Sequence, residues 1–267
     1  MVIRAWRVLA ALNVLALTAA AAVVLIVGGA QPGVVRAADP LRVVAWAPYW
    51  EKTSSLNSFT ANQAVMSELT PMFWYASGAT GTISRYASAT AADVTKYRNA
   101  ATAAGKPIVA TVFDGMSARG MSNLLSTAQG RTAHVENIMS FVTINGFDGI
   151  DIDYEQFAFA DGRATWPATY TNWGLFLEEL GGRLHALGKT LSVAVPPVYD
   201  AGQTSASGYW VYNYAAVGQF ADNVRIMTYS YSGNAAGVIS PYWWVEQSMR
   251  AAAAIVPPEK IQMGIAS

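Results

Sequence analysis

The chain is predicted to fold as an α/β protein, a (β/α)8 TIM barrel, and three observations carry that expectation. Strand-like and helix-like segments alternate along residues 38–267, which argues for a parallel sheet with helical crossovers. Residues of functional character (Trp50, Tyr75, Asp114, Glu155, Tyr199 and Tyr229) recur at the C-terminal ends of the strand-like runs, where a barrel assembles its site. An open doubly wound sheet also places ligands there, but no glycine-rich phosphate loop follows the first strand, so the barrel is the better reading.

The elements follow in order. Residues 43–47 form a first apolar run that ends in the aromatic stretch Trp46-Ala47-Pro48-Tyr49-Trp50, and residues 68–75 form a second strand. Residues 91–104 are alanine-rich with helical spacing, and Gly105 supplies a C-terminal cap. A third strand covers residues 108–113, a helix 131–142, and Asn145-Gly146 turns the chain into the fourth strand, 148–155. Residues 170–187 carry Trp173, Phe176, Leu177, Leu180 and Leu184 as an i, i+3, i+4 stripe that Gly188 ends. Strand 191–195, helix 209–220, strand 224–229, helix 244–255 and strand 261–265 complete the pattern. The sequence stops two residues later, so the expected barrel is truncated after its seventh strand.

Composition narrows the function. With 17 basic and 17 acidic residues the chain has no excess of positive charge to neutralise phosphates, so no nucleic acid is expected as a partner. Nine Trp and thirteen Tyr suit both a large core and the stacking of sugar rings. The absence of cysteine removes disulfides, thiol nucleophiles and thiolate metal sites. Residues 1–37 read as a secretory signal peptide: Arg4 and Arg7, an apolar run over 8–30, then small residues at Val35 and Ala37 around a cleavage point. The run approaches the ~20 residues that span a bilayer, so an uncleaved membrane anchor is the alternative. Either way residues 38–267 form the functional domain and face the outside, secreted or tethered through the N-terminus.

The fourth strand is the most informative segment. Alternate side chains point to opposite faces, so Asp151, Asp153 and Glu155 share one face while Ile150, Ile152 and Tyr154 share the other. Successive carboxyls lie about 7 Å apart on an ideal strand. Unit charges at that separation repel by roughly 2–3 kcal/mol at an effective dielectric near 20, enough to keep a proton on the cluster near neutral pH.

Asp148-Gly149-Ile150-Asp151-Ile152-Asp153-Tyr154-Glu155 resembles the Asp-x-x-Asp-x-Asp-x-Glu signature of glycoside hydrolase family 18, the chitinase-like barrels. Met227-Thr228-Tyr229 resembles the family's sixth strand and residues 191–197 its fifth. Residues 237–264 resemble the bacterial branch that includes spore-cortex peptidoglycan hydrolases. The resemblance implies a retaining glycosidase that hydrolyses β-1,4-linked N-acetylglucosamine-containing polysaccharide, chitin or peptidoglycan, by substrate-assisted catalysis. It implies Glu155 as general acid, Asp153 as the partner of the acetamido N–H, Asp151 sharing a proton with Asp153, and Tyr229 orienting the acetamido carbonyl. Asp148, on the other parity, is structural. Met227, Trp50, Trp74, Tyr75 and Ser230 are candidate substrate-binding residues, with Trp210 and Trp243 as further stacking surfaces. Ser230 stands where this family usually has Asp or Asn. The alternative reading is a catalytically inactive glycan-binding barrel, although such lectins usually lack the acid that Glu155 supplies. His134 and His185 fall on predicted helices and are expected at the surface; neither a metal nor a cofactor is expected, and the barrel is expected to act as a monomer.

Overall fold

The computed structural model describes residues 41–266. Strand β1 (Trp46–Pro48) leads into helix α1 (Lys52–Asn62) and pairs in parallel with β2 (Thr70–Met72). The second barrel strand breaks at Phe73. Its continuation, β3 (Trp74–Ser77), turns back into an antiparallel hairpin with β4 (Thr82–Arg85). Then follow α2 (Ala91–Ala104), β5 (Val109–Asp114), α3 (Gly120–Leu125), α4 (Ala128–Asn145), β6 (Gly149–Asp153), α5 (Gln156–Phe159), α6 (Trp166–His185), β7 (Thr190–Val195), α7 (Tyr214–Phe220), β8 (Asn223–Ile226), α8 (Tyr242–Ala253) and β9 (Ile261–Met263). The larger sheet runs β4-β3-β5-β6-β7-β8-β9, parallel throughout except for β4. Among the described residues, seven barrel positions are therefore filled in chain order.

Each strand expected from sequence is present, and the glycines expected to end helices stand where they were expected. Gly105 and Gly146 adopt φ of 61° and 62° beyond α2 and α4, and their N–H groups return to carbonyls of the last turn. The elements that sequence reading missed lack its main signal. Helix α1 reads Lys-Thr-Ser-Ser-Leu-Asn-Ser-Phe-Thr-Ala-Asn and buries only Phe59, so it carries no apolar stripe. The single helix expected over 209–220 is broken at Asn213, whose left-handed backbone (φ 44°) starts α7 and whose side chain accepts from the Ala216 N–H.

The acidic strand lies in the middle of the sheet. Ile150 and Ile152 are fully buried in the apolar layer with Val135, Ile138, Phe176 and Leu177 of the covering helices. Gly149 permits a close approach to β7: a Cβ there would stand 2.1 Å from Thr190 Oγ1 and 2.6 Å from its carbonyl oxygen. Asp148 takes the structural role expected of it, accepting from the Ile108 N–H at 2.8 Å and so tying β6 to the start of the third strand.

His134 corrects one expectation. It is buried on α4, not exposed, because the hairpin of β3 and β4 folds over that helix. Its Nδ1 lies 2.9 Å from the Gly81 carbonyl oxygen and its Nε2 2.7 Å from the Tyr154 hydroxyl. Burial pushes the imidazole down to about 4. The neutral ring donates from Nδ1 to Gly81 and accepts from Tyr154 at Nε2. His185 is exposed as expected, 3.0 Å from Asp222. The expected signal peptide or anchor, residues 1–37, lies outside the described residues; among those described, no helix is long and apolar enough to cross a membrane.

Because His134 binds a proton readily only after unfolding, it makes the native state lose stability as pH falls from about 6.5 towards about 4. The full effect is up to about 3 kcal/mol. Urea unfolding over that range should show the stability advantage of wild type over His134→Gln shrinking as pH falls; a constant advantage would contradict a neutral buried imidazole.

Candidate active site

Period two carries Asp151 and Asp153 of β6 into the barrel interior, at 0% and 4% exposure. The strand ends at Asp153. Glu155 follows on the turn that opens α5 (φ −95°, ψ −15°), partly exposed at the mouth. Tyr154 between them is held at both ends: its hydroxyl meets His134, and its backbone carbonyl accepts from the Tyr212 hydroxyl at 2.7 Å. This double attachment orients the turn that presents Glu155.

Burial raises the Asp153 carboxyl well above the carboxylate range, and the charges of Glu155 and Asp151 raise it further. Burial also raises Glu155, partly offset by its hydrogen bond with Asp153. The two carboxyls form one coupled site that retains a proton where an exposed pair would lose it. Asp153 Oδ1 is buried without a hydrogen-bond partner among the described residues.

Asp151 sits in different company. Trp46 Nε1 donates to its Oδ2 at 2.8 Å and Thr111 Oγ1 donates to the same atom at 2.9 Å, the latter from the residue directly opposite on β5. Arg225 Nη1 stands 3.0 Å from Oδ1, an ion pair off hydrogen-bond alignment. Arg225 also pairs with Glu68, and its Nε donates to Gln262 Oε1 at 3.0 Å. Glu68 accepts from Thr70 Oγ1 at 3.1 Å and lies 3.5 Å from Arg42. Sequence reading missed Trp46, Thr111, Glu68 and Arg225 as parts of the site. A signal existed for Arg225, which shares strand parity with Met227 and Tyr229.

Tyr229 faces the same carboxyls: burial raises its hydroxyl first, and the charges of Asp153, Glu155 and Asp151 raise it further. Met227 is buried just beyond β8, its N–H donating to the Val195 carbonyl at 2.9 Å. Ser230 is exposed in the left-handed region at φ 59°, a conformation that Asn and Asp adopt more readily. Trp50, just beyond β1, and Tyr75, within β3, join one aromatic group. Tyr86 stacks on Tyr49 at 4.0 Å and meets Tyr75 at 4.7 Å, while Trp50 stands edge-on to Tyr49 and is 62% exposed. Trp74 does not belong to the site. Strand alternation turns it away from Tyr75, and it is buried against Phe141 and Phe147 at 5.3 and 5.1 Å. Trp210 packs on Trp166, and Trp243, which is exposed, on Tyr231.

Asp114 ends β5 beside this region. Burial pushes its carboxyl up to about 7, with nearby Asp161 adding to the rise. A cleft of about 770 Å³ opens between the turn of β3 and β4 and the helices α3 and α4, lined by Gly78, Gly115, Met116, Asn123, Thr127 and Gly130 among others. No titratable side chain lines it, so acid–base chemistry belongs to the carboxyls of β6 and not to this cleft. Among the described residues no cluster of three or more His, Asp or Glu is arranged to hold a metal ion.

The family model described as Glycosyl hydrolases family 18 matches residues 42–267. The chain is 30% identical over 155 residues to a Bacillus subtilis protein named as a sporulation-specific glycosylase, YdhD, a match covering 57% of this chain and 34% of that protein. It is 29% identical over 160 residues to the cortical fragment-lytic enzyme of Bacillus anthracis, covering 59% and 35%. Among solved structures it is similar to the spore cortex-lytic enzyme SleL of Bacillus cereus, with a TM-score of 0.67 and 24% identity over 84% of this chain and 50% of that one. A chitinase from Chromobacterium violaceum gives a TM-score of 0.69 and 23% identity, over 84% and 68%. These structures share the barrel fold. The chain spans about a third of the length of the two curated relatives.

The two tryptophans should differ in what they contribute to stability. Trp74→Ala should cost about 3–5 kcal/mol in urea unfolding, whereas Trp50→Ala should stay within about 0.5 kcal/mol of wild type. Equal stability losses would contradict the two placements.

Proposed function

The chain belongs to the glycosyl hydrolases of family 18, and from that premise we propose that it is a secreted, retaining glycosidase acting on β-1,4-linked N-acetylglucosamine polymers. The observation that carries the reading is the Asp153–Glu155 pair, two carboxyls raised by burial at the mouth of the barrel with Tyr229 facing them. A general acid needs a proton at working pH, and a coupled, partly desolvated pair supplies one.

The chemistry proceeds in two displacements. Glu155 gives its proton to the glycosidic oxygen as the C1–O bond breaks, and the substrate's own acetamido oxygen bonds to C1, forming an oxazolinium ion. Asp153 accepts from the acetamido N–H and offsets the positive charge; the Tyr229 hydroxyl donates to the acetamido oxygen and aims it at C1. Water then attacks C1, Glu155 takes its proton, and the ring opens with net retention. Participation by the substrate suits a site whose remaining inner carboxyl, Asp151, is fully buried and engaged by Trp46, Thr111 and Arg225.

Peptidoglycan is the preferred substrate class over chitin. That preference follows the spore-cortex-like stretch at 237–264 and the names of the cortical relatives. Export rests on the apolar run over 8–30 and the small residues at 35 and 37.

Full-length protein incubated with peptidoglycan and with chitin oligomers, with products identified by mass, decides the substrate; absence of product from both would favour a glycan-binding barrel. The rate profile should be bell-shaped with an acidic-to-neutral optimum, activity falling at high pH as the pair loses its proton. Glu155→Gln should lose at least about 10²-fold in turnover while still binding sugar. Wild-type turnover in that variant would remove Glu155 from the role.

A further inference from the structure

We propose that Tyr212 is a positioning residue for the general acid: its buried hydroxyl, with the Trp166 indole as a second donor, clamps the turn that presents Glu155. This rests on the reading of Glu155 as the acid. Among the described residues the Glu155 carboxyl has Asp153 as its hydrogen-bond partner, so the backbone that carries it decides where it points. That backbone is short: Glu155 lies past the last residue of β6, and α5 is a single helical turn. A helix this short leaves its outer carbonyls without partners of its own. Inside the turn, the Glu155 carbonyl accepts from the N–H groups of Ala158 and Phe159, and the Gln156 carbonyl from those of Ala160 and Asp161. The flanking carbonyls are taken by side chains instead. The Tyr212 hydroxyl donates to the Tyr154 carbonyl at 2.7 Å, and Trp166 Nε1 donates to the Phe157 carbonyl at 2.8 Å. Both donors are buried, so a bond lost at either place leaves a carbonyl with no water to replace it.

The clamp is anchored outside the turn it holds. The Tyr212 ring packs on Phe157 at 5.9 Å and on Trp173 at 6.2 Å. Tyr212 ends a short 3-10 turn, Trp210–Tyr212, and the next residue, Asn213, donates from Nδ2 to the Tyr170 carbonyl of α6 at 3.2 Å. Trp166 opens α6 and meets Trp210 edge-on at 5.3 Å. Burial raises the Tyr212 hydroxyl well above the phenol range, and the charges of Glu155, Asp153 and Asp114 raise it further, so it stays a donor at any working pH. Among the described residues, the titratable groups facing Glu155 are Asp153 from β6, Tyr229 from beyond β8 and Tyr212 itself. Tyr214 makes the same kind of bond elsewhere: it is buried, and its hydroxyl donates at 2.9 Å to the carbonyl of Pro196, beyond β7 and not in the Glu155 turn.

The two tyrosines make a matched test in full-length protein. Tyr212→Phe and Tyr214→Phe each keep the ring and remove one buried hydroxyl-to-carbonyl bond, so both should lower the thermal unfolding midpoint. Below that transition, Tyr212→Phe should lose about 10- to 10²-fold in kcat with KM within about two-fold of wild type, because a displacement of about 1 Å in the acid costs that much in rate. Tyr214→Phe should keep the wild-type kcat. Released towards water, the Glu155 carboxyl loses part of the rise that burial gives it, so its titration, read by carbon NMR, and the high-pH limb of the rate profile should both move to lower pH in Tyr212→Phe alone. A merely structural role would lower both midpoints and move neither kcat nor the limb. Folded Tyr212→Phe with wild-type kcat, or with a Glu155 titration that coincides with wild type, overturns the inference, as does an equal loss of kcat in Tyr214→Phe. Should Tyr212→Phe fail to fold, Trp166→Phe frees the Phe157 carbonyl and takes its place, with the same expected and overturning results. Absence of any hydrolysis by wild type overturns the functional reading instead, and the Glu155 titration still decides the role of Tyr212.

Discussion

Several carboxyls enclosed in a barrel need a counter-charge, and Arg225 supplies it. Side chains of a barrel strand point either into the helix layer or into the interior, and here one strand sends two aspartates inward. A buried ion pair gains Coulomb energy only after both partners have lost water, so its net contribution to stability is small, whereas loss of one partner costs about 3–5 kcal/mol. Arg225 bridges residues far apart in sequence, with 157 positions separating it from Glu68. The polar interior therefore acts as a cross-brace between the second, fourth and sixth strands. It can form only when all three are in register.

The outer face of the same strand imposes a second constraint. Tyr154 points away from the carboxyls, into a buried aromatic group with His134, Trp173 and Phe176. Its hydroxyl ends on a histidine that is kept neutral by burial, and the carbonyl of the same residue is held by Tyr212. Glu155 is the next residue, beyond the last hydrogen-bonded strand position. Its placement thus depends on helix α4, on the hairpin carrying Gly81, and on the segment before α7 as well as on β6. An apparently local motif of eight residues is positioned by three distant pieces of chain.

The site also shows how desolvation divides chemically similar groups. Asp151 and Asp153 are both buried, yet one is surrounded by Trp46, Thr111 and Arg225 while the other faces Glu155 and carries an oxygen without a partner. Depth grades the carboxyl file, from the fully buried Asp151 to the partly exposed Glu155. Tyr229, just beyond β8, faces the same carboxyls.

Much of this was legible in the sequence, because the periods of strands and helices are local properties of the chain. The seven strands, the glycine caps at 105 and 146, the inward file of Asp151 and Asp153, and the outward face of Ile150 and Ile152 all follow from spacing. Trp74 could have been separated from Tyr75 on parity alone, since adjacent strand residues face opposite ways. What the sequence could not determine is which group each side chain meets across the fold. The burial of His134 depends on a hairpin with no strong periodic signal, and the engagement of Asp151 depends on an arginine 74 positions away. Period is set by neighbouring residues, whereas partnership and desolvation exist only once distant strands close around a common interior; tertiary structure alone decided those.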